Sequence, residues 1–181
     1  MSRVTRPFTI VMAVVGIALL SFAAVALAIT KTKTFSTGSI SKPIADQDVL
    51  FQKIQVDRRG TLKDLNVAVR ADHTQIEDLT LLLESPQGKF AKLYTNAVSG
   101  DDLGSGADDC SGEPTVFDDE SATDVGSGTA PLAGSFRPEQ SLSRFDGRQI
   151  HGRWTLIVSD GDGGDDGTLY CAKLRMKYRP Q

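Results

Sequence analysis

The stretch from Phe145 to Met176, which reads FDGRQIHGRWTLIVSDGDGGDDGTLYCAKLRM, constrains the fold of this chain more than any other. It contains two strand-like runs, Trp154–Ser159 and Thr168–Met176, which are joined by a turn rich in Gly and Asp. Apolar side chains recur at alternate positions along both runs, and this period of two is typical of a strand with one buried face. The stretch therefore predicts two β-strands separated by an acidic turn.

The same alternation recurs along much of the chain and predicts an all-β domain. Its apolar positions include Leu65, Val67, Val69, Leu79, Leu81 and Leu83. The residues from Ser85 to Gly88 separate the second of these runs from Lys89–Tyr94 and are typical of a hairpin turn. Because no apolar period of 3.6 supports a helix of three turns after Ile29, we expect a β-sandwich or jelly roll.

Three large apolar residues are predicted to lie in the core of the sandwich: Leu81, Phe117 and Trp154. Trp154 could instead be a platform on which a ligand stacks, but the apolar residues that follow it at alternate positions favour a core position. Phe117 lies in a long segment, residues 96–138, that is rich in Gly, Ser and Asp. Loops of that length in a compact domain are usually functional or braced, so Phe117 is expected to anchor the segment to the core.

The first 28 residues have the organisation of an export signal. Two arginines precede an almost uninterrupted apolar run, and Ala26–Ala28 has the small-x-small form of a signal-peptidase site. We interpret residues 1–28 as a cleaved signal peptide; the alternative is an uncleaved helical anchor, since about 22 mostly apolar residues also suffice to cross a bilayer. Both interpretations export a domain at residues 40–181, preceded by a linker at 29–39. We therefore expect a secreted or extracytoplasmic chain, or one anchored in the membrane.

The charge of the chain argues against a nucleic-acid partner. The formal net charge is −3, from 23 acidic and 20 basic side chains. Phosphate binding needs clustered Lys and Arg, whereas the basic residues near the C-terminus alternate with apolar ones, as on the solvent face of a strand. We expect no nucleic acid partner, and contact with a membrane only if the N-terminal segment is retained.

The chain has two cysteines, Cys110 and Cys171, and an even number in an exported chain predicts a disulfide. A metal or redox role is the alternative, but two isolated cysteines without CxxC spacing supply too few ligands. On the chain-entropy model, a disulfide that closes a loop of this length contributes about 4 kcal/mol to the free energy of unfolding.

Dense clusters of carboxylates interleaved with glycines suggest calcium binding. Calcium takes about six to eight oxygen ligands, and glycine lets backbone carbonyls turn toward a cation beside the carboxylates. The residues predicted as metal ligands are Asp101, Asp102, Asp118, Asp119, Glu120, Asp160 and Asp162. The preferred site combines the FDDES segment with Asp101 or Asp102, and the Asp160–Asp166 turn is the second choice. The alternative is a solvated acidic surface that keeps the protein soluble.

Only two side chains, His73 and His151, could act as the base of a serine-protease triad. The sequence has neither the Gly-Thr-Ser context of a subtilisin-type nucleophile nor a GxSxG elbow. Nothing in the sequence places a serine or a carboxylate beside either histidine. We therefore expect no catalytic residues, with His73 as a structural residue at a strand end and His151 exposed in a turn.

Six segments, in order along the chain, resemble motifs of the P domain, also called the Homo B domain, which accompanies subtilisin-like proprotein convertases. They are a strand that ends with His73, and the segments DLTLLLESPQG, FDDES, RPEQSLSRFDG, GRWTLIVSD and DGTLYCAKL. The resemblance runs from about Ile40 to Tyr178 and implies an antiparallel β-sandwich of the jelly-roll, galactose-binding-like type. The chain departs from the family pattern at Ala172, where many members carry Trp, and it contains no protease domain.

In the convertases this domain packs beside the catalytic domain and stabilises it. The resemblance therefore implies a non-catalytic exported module that stabilises or recruits a separately encoded subtilisin-like protease, or binds another cell-surface protein, with the assistance of calcium. A carbohydrate-binding or adhesion module is the alternative, and it predicts exposed aromatic side chains in segment 96–138. A third possibility, a serine endopeptidase in its own right, is disfavoured by the missing triad.

Overall fold

The computed structural model describes residues 29–181. The predicted signal peptide or helical anchor at residues 1–28 lies outside the described residues. Between residues 29 and 181 the fold is all-β, with three short 3-10 turns as its only helical segments. None of the helical segments in this part of the chain has the length and apolarity to cross a bilayer.

Ten strands form the domain. In chain order they are β1 (Lys31–Ser36), β2 (Lys42–Ile44), β3 (Val49–Val56), β4 (Gly60–His73), β5 (Leu79–Glu84), β6 (Phe90–Thr95), β7 (Thr115–Phe117), β8 (Gly134–Phe136), β9 (Gly152–Asp160) and β10 (Gly167–Pro180). The 3-10 turns are Ile76–Asp78, Val125–Ser127 and Leu142–Phe145. The strands predicted from alternating apolar residues are therefore confirmed.

Two sheets pack face to face as the expected β-sandwich. The larger has the strand order β1-β10-β4-β7-β8, with β2 also paired to β10, and the smaller has the order β3-β9-β5-β6. The long strands β4 and β10 pair antiparallel from Gly60 to His73, so they fix the length of the larger sheet. The predicted hairpin turn is confirmed: β5 pairs antiparallel with β6, and Ser85 N donates to Lys89 O at 2.8 Å.

The prediction of a linker at residues 29–39 is wrong for Lys31–Ser36, which forms β1 at the edge of the larger sheet. Phe35 is buried there, and alternate threonines give the segment good strand propensity. The pairing of β1 with β10 joins residues far apart in the sequence, so the short polar segment carries little local sign of it.

The three predicted core residues are confirmed, because Leu81, Phe117 and Trp154 are all buried between the sheets. The Trp154 indole Nε1 donates to Ile150 O at 2.9 Å, and its ring meets the edge of Phe145 with ring centroids 5.2 Å apart. Trp154 is thus a core residue rather than a stacking platform, and its polar atom has the hydrogen-bond partner that burial requires.

Segment 96–138 is more ordered than its composition suggests. It contributes β7 and β8, which pair with each other in parallel, so the sandwich is not antiparallel throughout. Phe117 in β7 lies opposite Val67 of β4, and Phe136 in β8 is buried nearby. Both aromatic side chains of the segment are therefore covered, so it lacks the exposed aromatics that a carbohydrate-binding loop would need.

The predicted disulfide is confirmed between Cys110 and Cys171, which are 61 residues apart in sequence with Cα atoms 5.1 Å apart. It ties segment 96–138 to β10 of the larger sheet. Lys173 Nζ also donates to Cys110 O at 2.7 Å, so a second contact holds the same point of the segment.

Candidate functional site

One end of the sandwich collects carboxylates from distant parts of the sequence around His73, the last residue of β4. The His73 Nε2 lies 3.3 Å from Asp160 Oδ2, and both side chains are completely buried. The His73 Nδ1 lies 2.8 Å from Gln75 O, so both ring nitrogens have neighbours. Asp160 ends β9 in the smaller sheet, and this contact therefore joins the two sheets at their common end.

Two further carboxylates accept hydrogen bonds from residues 73–75. Asp102 Oδ1 accepts from the His73 backbone N at 3.2 Å. Asp165 Oδ1 accepts from Thr74 Oγ1 at 2.6 Å, and Asp165 Oδ2 accepts from the Gln75 side chain. We call this region, formed by residues 70–78, 101–108 and 160–167, the acidic end.

The acidic end surrounds a cleft of about 660 Å³ that is lined by five aspartates. These are Asp72, Asp101, Asp102, Asp108 and Asp166. One cation, Arg70, also lines the cleft, but its guanidinium is already engaged: Nη1 donates to Ala71 O at 2.8 Å and Nη2 to Asp108 Oδ1 at 2.7 Å. The cleft is therefore negative and suits a cationic group better than an anionic one.

The pKa values of the carboxyl groups at the acidic end are shifted in both directions. Burial, together with the nearby carboxylates of Asp162 and Asp160, raises the pKa of Asp78. Burial likewise raises the pKa of Asp102, although the hydrogen bond from His73 and the charge of Arg70 oppose the shift. By contrast, the hydrogen bonds from Thr74 and Gln75 lower the pKa of Asp165.

The structure does not bring the seven predicted ligands together. Asp101, Asp102, Asp160 and Asp162 belong to the acidic end, but Asp118, Asp119 and Glu120 follow β7. Phe117 pairs with Val67 of β4, whereas Asp102 N donates to His73 O at the end of that strand. Six residues of strand correspond to about 20 Å, so the FDDES segment and Asp101 or Asp102 do not form one site.

The FDDES carboxylates already have other partners. Asp119 accepts from the backbone N of Leu142 and of Ser143, both at 2.8 Å, and from the Ser141 hydroxyl. It therefore caps the 3-10 turn Leu142–Phe145 rather than presenting free oxygens. Asp118 Oδ1 accepts from Glu120 N at 3.0 Å. A hydrogen bond with Asp118, and to a lesser extent desolvation, raises the pKa of Glu120.

This arrangement does not fit a calcium site in the FDDES segment, where Asp119 has both oxygens in hydrogen bonds. Throughout residues 29–181, no three His, Cys, Asp or Glu side chains are grouped in a way that could hold a metal ion. The acidic end does contain one buried oxygen without a hydrogen-bond partner, Asp160 Oδ1. A buried carboxylate oxygen of that kind is rare in folded proteins.

The histidines are not arranged as catalytic bases. The His73 side chain is completely buried between Asp160 and the Gln75 carbonyl, so a substrate cannot reach it. His151 is exposed in the turn before β9, and no side chain of the described residues forms a hydrogen bond with its ring. The buried His73–Asp160 pair resembles part of a triad, but it lacks a nucleophile and access to solvent.

Sequence reasoning missed several residues of the acidic end. Arg70 and the Thr74–Gln75 pair carried no motif, because their contacts are with residues 36 to 91 positions away. Asp78 begins the DLTLLLESPQG segment but was not predicted to be a site residue. One signal could have pointed to Asp78, which immediately precedes the alternating apolar residues of β5. If β5 and β9 pair antiparallel, the start of β5 lies beside the acidic turn that follows β9.

Among solved structures, the fold is similar to chains from two that contain a serine protease of Aeromonas sobria. The crystal structure of the Aeromonas sobria serine protease and chaperone complex gives a TM-score of 0.55 at 15% identity, covering 84% of this chain and 28% of that chain. The crystal structure of the serine protease of Aeromonas sobria gives 0.53, with the same identity and coverage. At this identity the likeness shows the fold alone, and the chain spans little more than a quarter of those proteins. A search of curated proteins found no match.

The family model described as Proprotein convertase P-domain matches residues 62–176, more than half of the chain. The match runs from the start of β4 through most of β10, so it includes both central strands of the larger sheet and all of β9. It also contains His73 and the five segments on which the resemblance was based. The chain belongs to the proprotein convertase P-domain family.

Proposed function

We propose that this chain is an exported, non-catalytic P-domain module that binds and stabilises a separately encoded subtilisin-like serine protease. The observation that carries the proposal is the family match over residues 62–176. The structure of the Aeromonas sobria serine protease supports it, because a region similar in fold to this chain makes up 28% of the matched chain.

The chemistry of the described residues supports a non-catalytic role. A serine endopeptidase needs an accessible base hydrogen-bonded to a nucleophile, whereas His73 is completely buried and His151 is exposed in a turn, with no hydrogen bond to its ring from any described residue. Neither histidine of the chain can therefore fill that role in this fold. We expect the module to bind the folded enzyme through its surface and thereby to stabilise it.

The proposal is tested with a protease from the organism that encodes this chain. A subtilisin-like catalytic domain is produced without a P domain and titrated with the exported chain by isothermal calorimetry. We expect a one-to-one complex with a Kd of about 1 μM or tighter, which corresponds to about −8 kcal/mol. A serine protease of the chymotrypsin type is the matched control and should not bind. Absence of binding to every subtilisin-like protease of that organism would remove the proposal.

We also propose that the module acts outside the cytoplasm. The export signal predicted in residues 1–28 and the disulfide between Cys110 and Cys171 support this location, since disulfides persist in oxidising compartments. Cell fractionation with mass spectrometry of the mature N-terminus tests it. A chain that begins at Ile29 in the extracytoplasmic fraction indicates cleavage, a full-length chain in the membrane fraction indicates anchoring, and a cytoplasmic chain would contradict the proposal.

Calcium assistance is proposed for the acidic end alone. The unpartnered Asp160 Oδ1 and the raised pKa of Asp78 support it, because a cation would relieve both. Backbone carbonyls and water would have to complete the ligand set. The test is thermal unfolding in millimolar calcium and in excess EGTA. We expect calcium to raise the melting temperature of the wild-type chain and of Asp118→Asn, but not of Asp162→Asn. No rise for the wild-type chain would refute the proposal.

A further inference from the structure

The outward face of the smaller sheet carries an apolar row that no element of the described chain covers. Phe51 of β3, Ile157 of β9 and Leu82 of β5 are direct cross-strand partners, so their side chains lie side by side on one face. The residues adjacent to Leu82 and Ile157 along their strands are buried in the core: Leu81, Leu83, Leu156 and Val158. Val49 lies at one end of this outer face, and Phe90 of β6 lies on it opposite Glu84.

The exposure of this face is unusual for the molecule. Of the four large apolar side chains that are exposed in the described residues, three lie on it: Val49 at 40%, Phe51 at 59% and Phe90 at 44%. The fourth is Ile29, at the start of the described chain. Scattered exposed apolar residues need no explanation, but a contiguous group on one face of a sheet marks a surface for interaction.

The charges on the same face are mainly positive, although the chain as a whole is acidic. Lys53, Lys92 and Arg153 point outward with the apolar row, whereas Glu84 is the acidic side chain among them. Lys92 has an ion-pair partner in Glu139 at 3.9 Å. Within residues 29–181, Lys53 and Arg153 have none, so their charges remain available to a partner.

These charges determine which occupant fits. In a symmetric dimer through this face, each cation would meet the cations of the second copy, with one glutamate per chain to compensate. A lipid surface would require side chains that can be inserted, but Leu82 and Ile157 are half-buried at the centre of rigid, paired strands. The face instead fits a folded protein with an apolar patch bordered by carboxylates.

We propose that the outer face of the smaller sheet, centred on Phe51, Leu82 and Ile157, is where this module docks onto the catalytic domain of its partner protease. The inference rests on the proposed function for the identity of the partner.

The test uses the full chain in the organism that encodes it. A photoreactive benzoyl-phenylalanine replaces Phe51 or Phe90 on the outer face, and, as controls, Arg58 in the β3–β4 turn or Asp101 at the acidic end. All four positions are exposed, so the probe should not unfold the domain. After irradiation, cross-linked species are identified by mass spectrometry.

We expect Phe51 and Phe90, but not Arg58 and Asp101, to give an adduct with a subtilisin-like protease. An adduct at Phe51 and Phe90 with a different class of protein would support the docking face and remove the protease as the partner. Adducts confined to the control positions, adducts with lipid or with a second copy, or no adduct at all would overturn the docking face. Calorimetric binding of the protease without cross-linking at Phe51 would overturn the face and leave the proposed function intact.

Point variants give a second, quantitative measurement. Phe51→Lys should weaken binding of the cross-linked protease by about tenfold or more, as expected for an aromatic contact at the centre of an interface. Phe51→Leu is the matched control and should retain most of the affinity. Because Phe51 is 59% exposed, neither substitution should lower the melting temperature of the free chain. Unchanged affinity for Phe51→Lys would contradict the inference.

Discussion

His73 and Asp160, 87 residues apart in the sequence, meet inside the protein with Nε2 and Oδ2 3.3 Å apart and both side chains completely buried. The contact links the end of β4 in one sheet to the end of β9 in the other. Because the Asp102 carboxylate also accepts from the His73 backbone, this residue holds three separate segments at the acidic end. We therefore expect His73 to have a structural role.

Replacement of His73 should be strongly destabilising. We expect His73→Ala to lower the free energy of unfolding by about 3 kcal/mol or more, because it leaves the buried Asp160 carboxylate without its partner. His151→Ala is the matched control and should change it by less than about 0.5 kcal/mol, as an exposed turn residue. Urea unfolding measures both variants. Equal stability of the two would show that His73 does not hold the acidic end.

Asp119 is predicted to stabilise the 3-10 turn Leu142–Phe145 rather than to bind a metal. We expect Asp119→Ala to cost about 1–2 kcal/mol, since it removes three hydrogen bonds to residues 141–143. Asp118→Ala loses one hydrogen bond to Glu120 N and should cost less. Both losses should be the same in calcium and in EGTA. A cost for Asp119→Ala that appears only in calcium would restore the metal site in the FDDES segment.

The melting temperature of the chain should depend on pH in part through Asp78, whose pKa is raised in the folded state. Its folded-state pKa is raised above the ordinary value of 3.8, so ionisation of Asp78 destabilises the fold as the pH rises through the folded-state pKa. We therefore expect Asp78→Asn to raise the melting temperature at neutral pH. The gain should disappear below pH 3.8, where the wild-type carboxyl is also neutral.

Asp57 provides a control of opposite sign, because a hydrogen bond from Lys33 lowers its pKa. Its ionised form stabilises the fold, and this contribution is lost as the pH falls through the lowered value. Asp57→Asn should therefore slightly lower the melting temperature at neutral pH and have no effect in acid. A higher melting temperature for both variants at neutral pH would contradict the assignment of Asp57, and a lower one for both would contradict that of Asp78.

The two cysteines are predicted to act as one unit. Cys110→Ser and Cys171→Ser should each lower the free energy of unfolding by about 4 kcal/mol, because either one opens the same loop of 61 residues. The double variant should lose no more than one single variant, and this non-additivity is measured by urea unfolding. Detection of free thiols in the exported wild-type chain would contradict the prediction.

Much of the fold could be predicted from local patterns. The alternation of apolar residues around Leu81 and Trp154 identified β5 and β9, because each of these strands buries one face in the core. The same patterns could not identify β1, since its pairing with β10 depends on residues about 140 positions away. Nor could they show that β7 and β8 pair in parallel within a segment that is rich in Gly and Asp.

The candidate site was less accessible from the sequence. The clusters of carboxylates were evident, but composition cannot distinguish an aspartate that caps a turn, such as Asp119, from one with a free oxygen, such as Asp160. That difference lies in contacts with residues 22 to 24 positions away for Asp119 and 87 for Asp160. Nor could the exposure of the outer face around Phe51 be predicted, because alternation identifies a strand without showing whether its second face is covered.

The measurement that tests the account most directly is the thermal inactivation of a subtilisin-like catalytic domain from the same organism, with and without an equimolar amount of this chain. The chain alone is assayed in parallel with a fluorogenic peptide substrate. We predict a longer half-life of the protease in the presence of the chain, because a ligand of the folded state stabilises it, and no hydrolysis by the chain alone. An unchanged half-life, or hydrolysis by the chain alone, would contradict the assignment as a non-catalytic protease-stabilising module.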